Sequence, residues 1–245
     1  MLRTSVDVDW AARTVVCKFY SVNDAGQKTI QHAWCNLGFT NAAEQLSEYN
    51  RNAYLIRHRM DELRKGLATG QCQKFNRSMC YKMVSSLAGY APEYRGVDEV
   101  ILDSTTLEAS SRVCFQNTKK EGTYYLNPCY IDSLAQTGGF VMNANDGVDL
   151  EKECFVNHGW KSFQFFKEID PQKSYQTYVR MQKSEHGKDE WAGDVMIFDD
   201  EDTIMAIVKG IVVSHTQIFY VYNYLHGVAP RCAAPAHELH RVGQG

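Results

Sequence analysis

Alternating apolar and polar residues begin the chain and predict an antiparallel sheet over residues 4–39. Residues 5–9 alternate, and residues 14–20 are rich in β-branched and aromatic side chains. Gly26 then lies in a polar segment typical of a turn. We therefore predict three strands in this region.

The pattern changes to helical spacing after this sheet. Asn41 is a candidate N-cap, and apolar residues recur every three or four positions before Gly66, which predicts one helix over 41–65. A second, shorter helix is predicted over 77–87. After Pro92 the pattern returns to strands, which we predict at 99–102 and 107–115.

A third helix is predicted over 128–142, in a stretch that is almost entirely apolar. Asn127 can cap it and Pro128 fits its first turn, where no backbone donor is needed. Asp132 is the one charged residue between Pro128 and Met142. Such a helix is expected to be buried on nearly all sides.

Further strands follow and predict a second antiparallel sheet, at residues 155–166, 174–181, 195–198 and 204–213. An acidic turn over 199–202 joins the last two. A sheet wrapped around a central helix is the hot-dog arrangement. The residues beyond 225 are rich in Pro, Gly and Ala and are typical of a linker.

Composition narrows the class of protein. The 245 residues are 44% apolar and 22% charged, with 26 basic and 29 acidic side chains. These values disfavour disorder and an extended basic surface for nucleic acid, and the longest apolar runs are too short for a membrane span. Eight cysteines without a CxxC pair favour buried thiols in a reducing compartment over a zinc site, so we expect a cytoplasmic protein.

Asp132 is the strongest chemical signal in the sequence. Burying a carboxylate costs several kcal/mol unless it is hydrogen-bonded or protonated, so a lone Asp in an apolar helix needs a reason. Gln136 lies four residues on, on the same helix face, where it can orient the Asp or contact a ligand. The alternative is a first-turn carboxylate that the helix dipole favours.

Two other motifs have competing interpretations. The triplet Asp132-Ser133-Leu134 is similar to the modification site of acyl carrier proteins, but it lies inside a helix that is flanked by strands, which argues against a carrier. Asn157 and His158 follow the apolar helix on the next strand and could bind substrate or transfer protons. A single strand histidine can equally be structural.

Together these segments resemble the product template domain of fungal non-reducing polyketide synthases, a relative of polyketide dehydratase domains. The resemblance covers nearly all of residues 1–225 and rests on six motifs: 50–55, 94–104, 127–140, 158–160, 175–181 and 193–195.

The resemblance implies an α+β double hot-dog fold, dehydratase-like, with the first hot dog incomplete. It divides the chain into a partial amino-terminal hot dog over 1–115 with a helical insertion at about 41–90, a carboxyl-terminal hot dog over 116–225, and a linker-like tail over 226–245. The implied partners are an acyl carrier protein, other synthase domains and a second copy of the chain, with no nucleic acid and no membrane.

The implied activity is aldol cyclisation and aromatisation of a poly-β-ketone. No cofactor is expected, since the substrate is carried on the phosphopantetheine arm of the carrier. By resemblance Asp132 is the catalytic Asp of a His-Asp dyad, and Gln136, Asn157 and His158 bind substrate.

No residue here matches the family's dyad His, which is expected on a segment that precedes the first strands. This leaves enzyme activity open between three alternatives: a cyclase, a dehydratase of β-hydroxyacyl carrier substrates, and a non-catalytic pocket or dimerisation fragment.

Overall fold

The computed structural model describes residues 1–115, 122–185, 187 and 189–218. It divides the chain into two compact units, one over Met1–Glu48 and one that begins at Tyr49. The predicted tail over 226–245 lies outside the described residues. No helix in the described part is long and apolar enough to cross a membrane.

The first unit contains a three-stranded antiparallel sheet, as predicted. Its strands are β1 (Leu2–Asp9), β2 (Thr14–Val22) and β3 (Lys28–Gly38), in that spatial order. Gly26 has a φ of +76°, the left-handed conformation that a tight turn between β2 and β3 requires.

The prediction of one continuous helix over 41–65 is wrong. The structure has two helices here, α1 (Ala42–Asn50) and α2 (Ala53–Thr69). The backbone turns between them, where the Asn52 amide donates to the Tyr49 carbonyl at 3.1 Å. Asn is a poor helix former, and two of the three residues from 50 to 52 are Asn. Tyr49 is also held by tertiary contacts, since its hydroxyl donates to Gln164 at 2.9 Å.

The predicted end of this helix at Gly66 is also wrong. A Cβ at Gly66 would lie 2.5 Å from the Cys72 sulfur, so glycine is required there for close packing and not for termination. The helix ends at Gly70, which has a φ of +77° and donates to the Leu67 carbonyl.

The second unit is built on an eight-stranded antiparallel sheet. Its strands are β4 (Gln73–Asn76), β5 (Val97–Asp103), β6 (Glu108–Cys114), β7 (Glu153–Gly159), β8 (Ser162–Phe165), β9 (Ser174–Lys183), β10 (Glu190–Phe198) and β11 (Ile204–Gln217). The spatial order is β4-β5-β6-β9-β10-β11-β7, and β8 pairs with β11 beside β7. Asp199 accepts from the Thr203 amide in the predicted acidic turn between β10 and β11.

The predicted boundary at residue 115 does not separate two bodies. β6 pairs with β9 along its whole length, so β4, β5 and β6 belong to the same sheet as the carboxyl-terminal strands. The structure divides at Glu48 instead. A sequence pattern indicates where strands lie but not which strands pair with each other. The pattern therefore could not give the correct position of this boundary.

Helices cover this sheet on both faces. In β6, Ser111 bonds to Thr137 of the helix α4 (Pro128–Ala144), whereas Glu108 bonds to Arg59 of α2. Residues 108 and 111 lie on opposite faces because side chains alternate along a strand. Helix α4 thus lies on one face, as the hot-dog arrangement predicts, and α2 on the other.

The α2 face contains a buried carboxylate with several partners. Glu108 is 1% exposed and accepts hydrogen bonds from Arg59 at 3.0 and 3.1 Å and from the Tyr178 hydroxyl at 3.0 Å. Arg180 lies 3.5 Å from its other oxygen. Because buried charges need such partners, this cluster fixes α2 on the sheet.

A short helix precedes the site. It is α3 (Arg77–Met83), and a 3₁₀ turn over Val84–Ser86 extends it close to the predicted end at 87. The Asn76 side chain caps α3 by accepting from the Met79 amide at 3.0 Å.

Candidate functional site

Helix α4 is the element on which the site is built. Asn127 caps it by accepting from the Cys129 amide at 2.9 Å, and Pro128 occupies its first turn, as predicted. Leu134 and Val141 are fully buried against the sheet. This burial fixes the rotation of the helix and hence the direction in which Asp132 and Gln136 point.

A cavity of about 310 Å³ lies between α4, α3 and β7. Its walls are mostly apolar, and they include Phe140 and Phe155. Three side-chain amides, those of Gln136, Asn143 and Asn157, also line it. A mostly apolar cavity of this size with a few polar groups is typical of a small-molecule site.

The predicted pairing of Asp132 and Gln136 is present. Gln136 Nε2 donates to Asp132 Oδ2 at 2.6 Å and to the Tyr94 carbonyl at 2.9 Å. Gln136 Oε1 accepts from the Tyr81 hydroxyl at 2.8 Å, and that hydroxyl accepts from the Val97 amide at 3.0 Å. Because each end of the Gln136 amide has its own partners, the amide has one orientation, with its donor toward Asp132.

The Tyr94 carbonyl is held in place by close packing against α4. The Ser133 hydroxyl donates to the Cys129 carbonyl at 2.8 Å and accepts from the Gly96 amide at 3.2 Å. A Cβ at Gly96 would lie 2.7 Å from the Ser133 side chain, so only glycine lets this loop approach the helix. Ser133 is fully buried and cannot accept a phosphopantetheine group, which confirms that the Asp-Ser-Leu triplet is not a carrier site.

Burial raises the pKa of Asp132 above its ordinary value, and the hydrogen bond from Gln136 opposes this rise. The effect of burial is the larger of the two. The side chain therefore retains its proton to a higher pH than an exposed Asp.

Asn143 holds strand β7 beside α4. Its Nδ2 donates to the Phe155 carbonyl at 3.0 Å, and its Oδ1 accepts from the Phe155 amide at 2.8 Å. Asn157 follows two residues on, where its Oδ1 accepts from the Gly159 amide at 2.7 Å. This bond fixes the Asn157 amide, and its Nδ2 has no hydrogen-bond acceptor among the described residues.

The structure brings the predicted residues together only in part. Gln136 and Asn157 line one cavity, whereas Asp132 is half-buried beside it and reaches it through Gln136. His158 is exposed and is not among the described cavity residues. It lies at a bulge, where β11 pairs Val212 with Gly159 and Val213 with Asn157, so its side chain does not follow the alternation expected of a regular strand.

Two tyrosines of the site were not predicted from the sequence. Tyr81 and Tyr90 both line the cavity and pack edge to face at 5.5 Å. Burial raises the pKa of both hydroxyls, and the Asp132 carboxylate contributes to the rise at Tyr90. The sequence offered only a weak signal, two tyrosines in a segment otherwise expected to pack as core.

The thiol of Cys80 also lines the cavity. Burial raises its pKa to about 12, so it is a neutral, apolar part of the wall. Within the described ranges no histidine lines the cavity, and no three His, Cys, Asp or Glu side chains come together as a metal site.

Comparison with known proteins identifies the family. The family model for the polyketide synthase dehydratase N-terminal domain matches residues 64–217. The chain belongs to the polyketide synthase dehydratase family. It is similar to the non-reducing polyketide synthase VdtA of Byssochlamys spectabilis, with 40% identity over 213 residues, which are 87% of this chain and 9% of VdtA.

Another relative and a solved structure agree with this family. The non-reducing polyketide synthase pgmA of Aspergillus terreus is 43% identical over 208 residues, 84% of this chain and 9% of pgmA. The dehydratase domain from the CurJ module of Curacin polyketide synthase superposes with a TM-score of 0.63 at 17% identity, over 90% of this chain and 69% of that one.

These matches confirm the resemblance to a domain of fungal non-reducing polyketide synthases and the α+β, dehydratase-like hot-dog fold. The chain spans 9% of the length of these two synthases. In the relatives it therefore corresponds to one domain among others.

Proposed function

We propose that this dehydratase-family chain is a product template-type cyclase, which directs aldol cyclisation and aromatisation of a carrier-bound poly-β-ketone. One observation carries the proposal: a half-buried carboxylate, Asp132, is oriented by an amide, Gln136, that itself lines an apolar cavity with Asn157. The two most informative relatives are non-reducing polyketide synthases, which supports the same substrate class.

The cavity has groups suited to each part of the reaction. In an aldol cyclisation, a base removes a proton from a methylene between two carbonyls, and the resulting enolate carbon forms a bond to a second carbonyl carbon. The electrons of that carbonyl move to its oxygen, which takes up a proton. The Asn157 Nδ2 can donate to such an oxygen, and the apolar walls hold the chain in a folded shape.

Asp132 is proposed to exchange a proton with the substrate, either directly or through another acid-base group that contacts the substrate. Gln136 occupies one carboxylate oxygen, Oδ2, while Oδ1 accepts no hydrogen bond from the described residues. Aromatisation then removes one molecule of water from the aldol product, with one proton lost from carbon and hydroxide lost as water. Apart from the new carbon–carbon bond, which forms at the expense of a carbonyl π bond, these steps transfer only protons and release water. They involve no net oxidation or reduction, so the proposal includes no cofactor.

The test is to supply the purified chain with a carrier protein that bears a poly-β-ketone and to follow ring products by mass spectrometry. General acid-base groups contribute roughly 10² to 10⁴ in rate, so Asp132→Ala is expected to lower ring formation by about 10² or more. The matched control is Asp146→Ala, which removes an exposed carboxylate beyond the end of α4. Equal rates in the wild type, in Asp132→Ala and without the chain would contradict the cyclase.

A dehydratase is the second candidate, and the family match favours it, because the model that matches residues 64–217 is that of dehydratases. Such an enzyme removes water from a β-hydroxyacyl carrier substrate, with Asp132 again as the acid-base group. A β-hydroxyacyl thioester supplied to the chain separates the two, since a dehydratase yields an alkene 18 mass units lighter and a cyclase leaves it unchanged.

A non-catalytic fragment is the third alternative. Within the described residues the cavity lacks a histidine, and a fragment of this kind would bind the substrate without converting it. Binding of a polyketide mimic together with the absence of both products would favour it.

A further inference from the structure

Two cysteines face each other in the sheet of the first unit. Cys17 lies in β2 and Cys35 in β3, and the strand register pairs them directly. The pairing is regular around them and has no bulge from Thr14 to Phe19. Facing residues on neighbouring strands point to the same side of a sheet, so the two thiols lie side by side.

The pair has the backbone spacing of a disulfide. The Phe39 amide donates to the Arg13 carbonyl at 3.2 Å, which makes residues 13 and 39 a hydrogen-bonded pair of the two strands. Such pairs recur at every second position of an antiparallel ladder, so Cys17 and Cys35 form one too. Their Cα atoms are then about 5.5 Å apart, well inside the range that disulfides span.

The side chains need only a small movement to form a bond. Facing Cβ atoms in a sheet are about 4.5–5.5 Å apart, whereas a disulfide holds them at about 3.5–4.5 Å. Strand β3 is at the edge of its sheet and pairs with β2 alone among the described strands. It can therefore shift by this amount without breaking another strand pairing.

The two thiols already contact each other. Burial raises the pKa of Cys35, and a hydrogen bond between the Cys17 and Cys35 thiols adds to this rise. Both side chains are also partly exposed, so a small solute can reach them. Contact and access are the two conditions for oxidation of a pair of thiols.

No other two described cysteines are placed in this way. Three of them are buried, namely Cys72, Cys80 and Cys154. Cys114 and Cys129 are partly exposed, but Cys114 faces Ser174 in the strand pairing and Cys129 lies in the first turn of α4. The structure therefore singles out one pair.

We propose that Cys17 and Cys35 are a modification site, a dithiol that a small-molecule disulfide such as glutathione disulfide converts to a disulfide between β2 and β3. One cysteine, as the thiolate, attacks a sulfur of the oxidant, whose S–S bond breaks and releases one thiol. The other cysteine then attacks the protein sulfur of this mixed disulfide and releases the second thiol. The two cysteines together lose two protons and two electrons, and the oxidant is reduced to two thiols.

The test is oxidation of the native full chain with glutathione disulfide, followed by alkylation of free thiols and digestion with trypsin. Trypsin cuts after Lys and Arg, so Cys17 lies on the peptide 14–18 and Cys35 on the peptide 29–51. Mass spectrometry is expected to show these two peptides joined, at a yield well above that of any other pair of cysteine peptides. Dithiothreitol should separate them.

Cys17→Ser and Cys35→Ser are the test variants. Each should lose the joined peptides and keep its remaining cysteine as a mixed disulfide with glutathione, because the thiol that would displace the glutathione is absent. Cys114→Ser is the matched control, since Cys114 is also a partly exposed strand cysteine, and it should behave as the wild type. The wild type oxidised in urea should form other cysteine pairs as well, because the selectivity comes from the folded sheet.

Two results would overturn the proposal. One is a native wild type in which the peptides 14–18 and 29–51 stay separate, with their cysteines alkylated or bound to glutathione. The other is the same yield of joined peptides in the native and the urea-unfolded chain, which would show that the sheet does not direct the reaction. Neither result depends on ring formation, so the test is independent of the proposed function.

Discussion

Tyr81→Phe tests whether the tyrosine hydroxyl holds the site together. The substitution removes the 2.8 Å bond to Gln136 Oε1 and the 3.0 Å bond from the Val97 amide, and it leaves the ring in place. Val97 is 4% exposed, so its amide cannot turn to bulk water, whereas Gln136 lies at the cavity wall. An unpaired buried donor costs roughly 1–3 kcal/mol, and we expect a total loss of about 2 kcal/mol.

Urea unfolding and hydrogen exchange measure this loss. With an m-value near 2 kcal/mol/M, the midpoint should fall by about 1 M at constant m. Exchange of the Val97 amide should accelerate at least about tenfold in native conditions. Tyr90→Phe is the matched control, because the Tyr90 ring lines the same cavity and its hydroxyl bonds to no other described residue.

The same variant should raise the pKa of Asp132 further. The hydrogen bond that Gln136 donates to Asp132 lowers the pKa of Asp132. Without the Tyr81 hydroxyl, the Gln136 amide loses the contact that fixes its orientation. NMR titration of the carboxylate gives the direction. A Tyr81→Phe chain with the stability, exchange and Asp132 pKa of Tyr90→Phe would refute the role of the hydroxyl.

Three further substitutions test separate parts of the structure. Asp132 keeps its proton to a higher pH in the native state than in the unfolded chain. The free energy of unfolding of the wild type should therefore fall relative to that of Asp132→Asn as the pH rises from about 3.8 through the raised pKa. A difference between the two that stays constant with pH would contradict this. Thr137→Val should cost about 1 kcal/mol in urea unfolding, because Ser111 and Thr177 still bond to each other at 2.6 Å, and a loss above about 3 kcal/mol would show that the hydroxyls depend on Thr137. Glu108→Ala should lower the free energy of unfolding by about 3 kcal/mol in the same assay, since it leaves the arginine and tyrosine partners of a buried carboxylate unpaired. An unchanged free energy of unfolding would mean that water replaces the carboxylate as their partner.

The parts of the site that the sequence predicts are local. Asn127 and Pro128 mark the start of α4 because capping depends on neighbouring residues. Asp132 and Gln136 meet because residues four apart share a helix face. Pattern and spacing are sufficient in these cases.

Contacts between distant segments could not be predicted in this way. Tyr81 reaches Gln136 only because α3 packs against the loop before β5, and no spacing in the sequence encodes that contact. The pairing of β6 with β9 is equally non-local, and so the expected boundary at residue 115 was misplaced. His158 was expected in a regular strand, but a bulge changes its direction.

The break between α1 and α2 shows how tertiary contacts override a helical pattern. Residues 41–65 keep apolar side chains at helical spacing through the break, so periodicity alone extends the helix. The turn at Asn52 forms where Tyr49 is bound to Gln164, 115 residues away along the chain.

The location of a bound substrate mimic tests the central claim most directly. A pantetheine-linked polyketide mimic with a non-hydrolysable bond should shift the side-chain amide resonances of Gln136 and Asn157 and give nuclear Overhauser contacts to Phe140, since these residues line the cavity. The side-chain amide of Asn145, which bonds within the end of α4 and lies outside the cavity lining, should stay unchanged. A mimic that binds without contacts to Gln136, Asn157 and Phe140 would contradict the account.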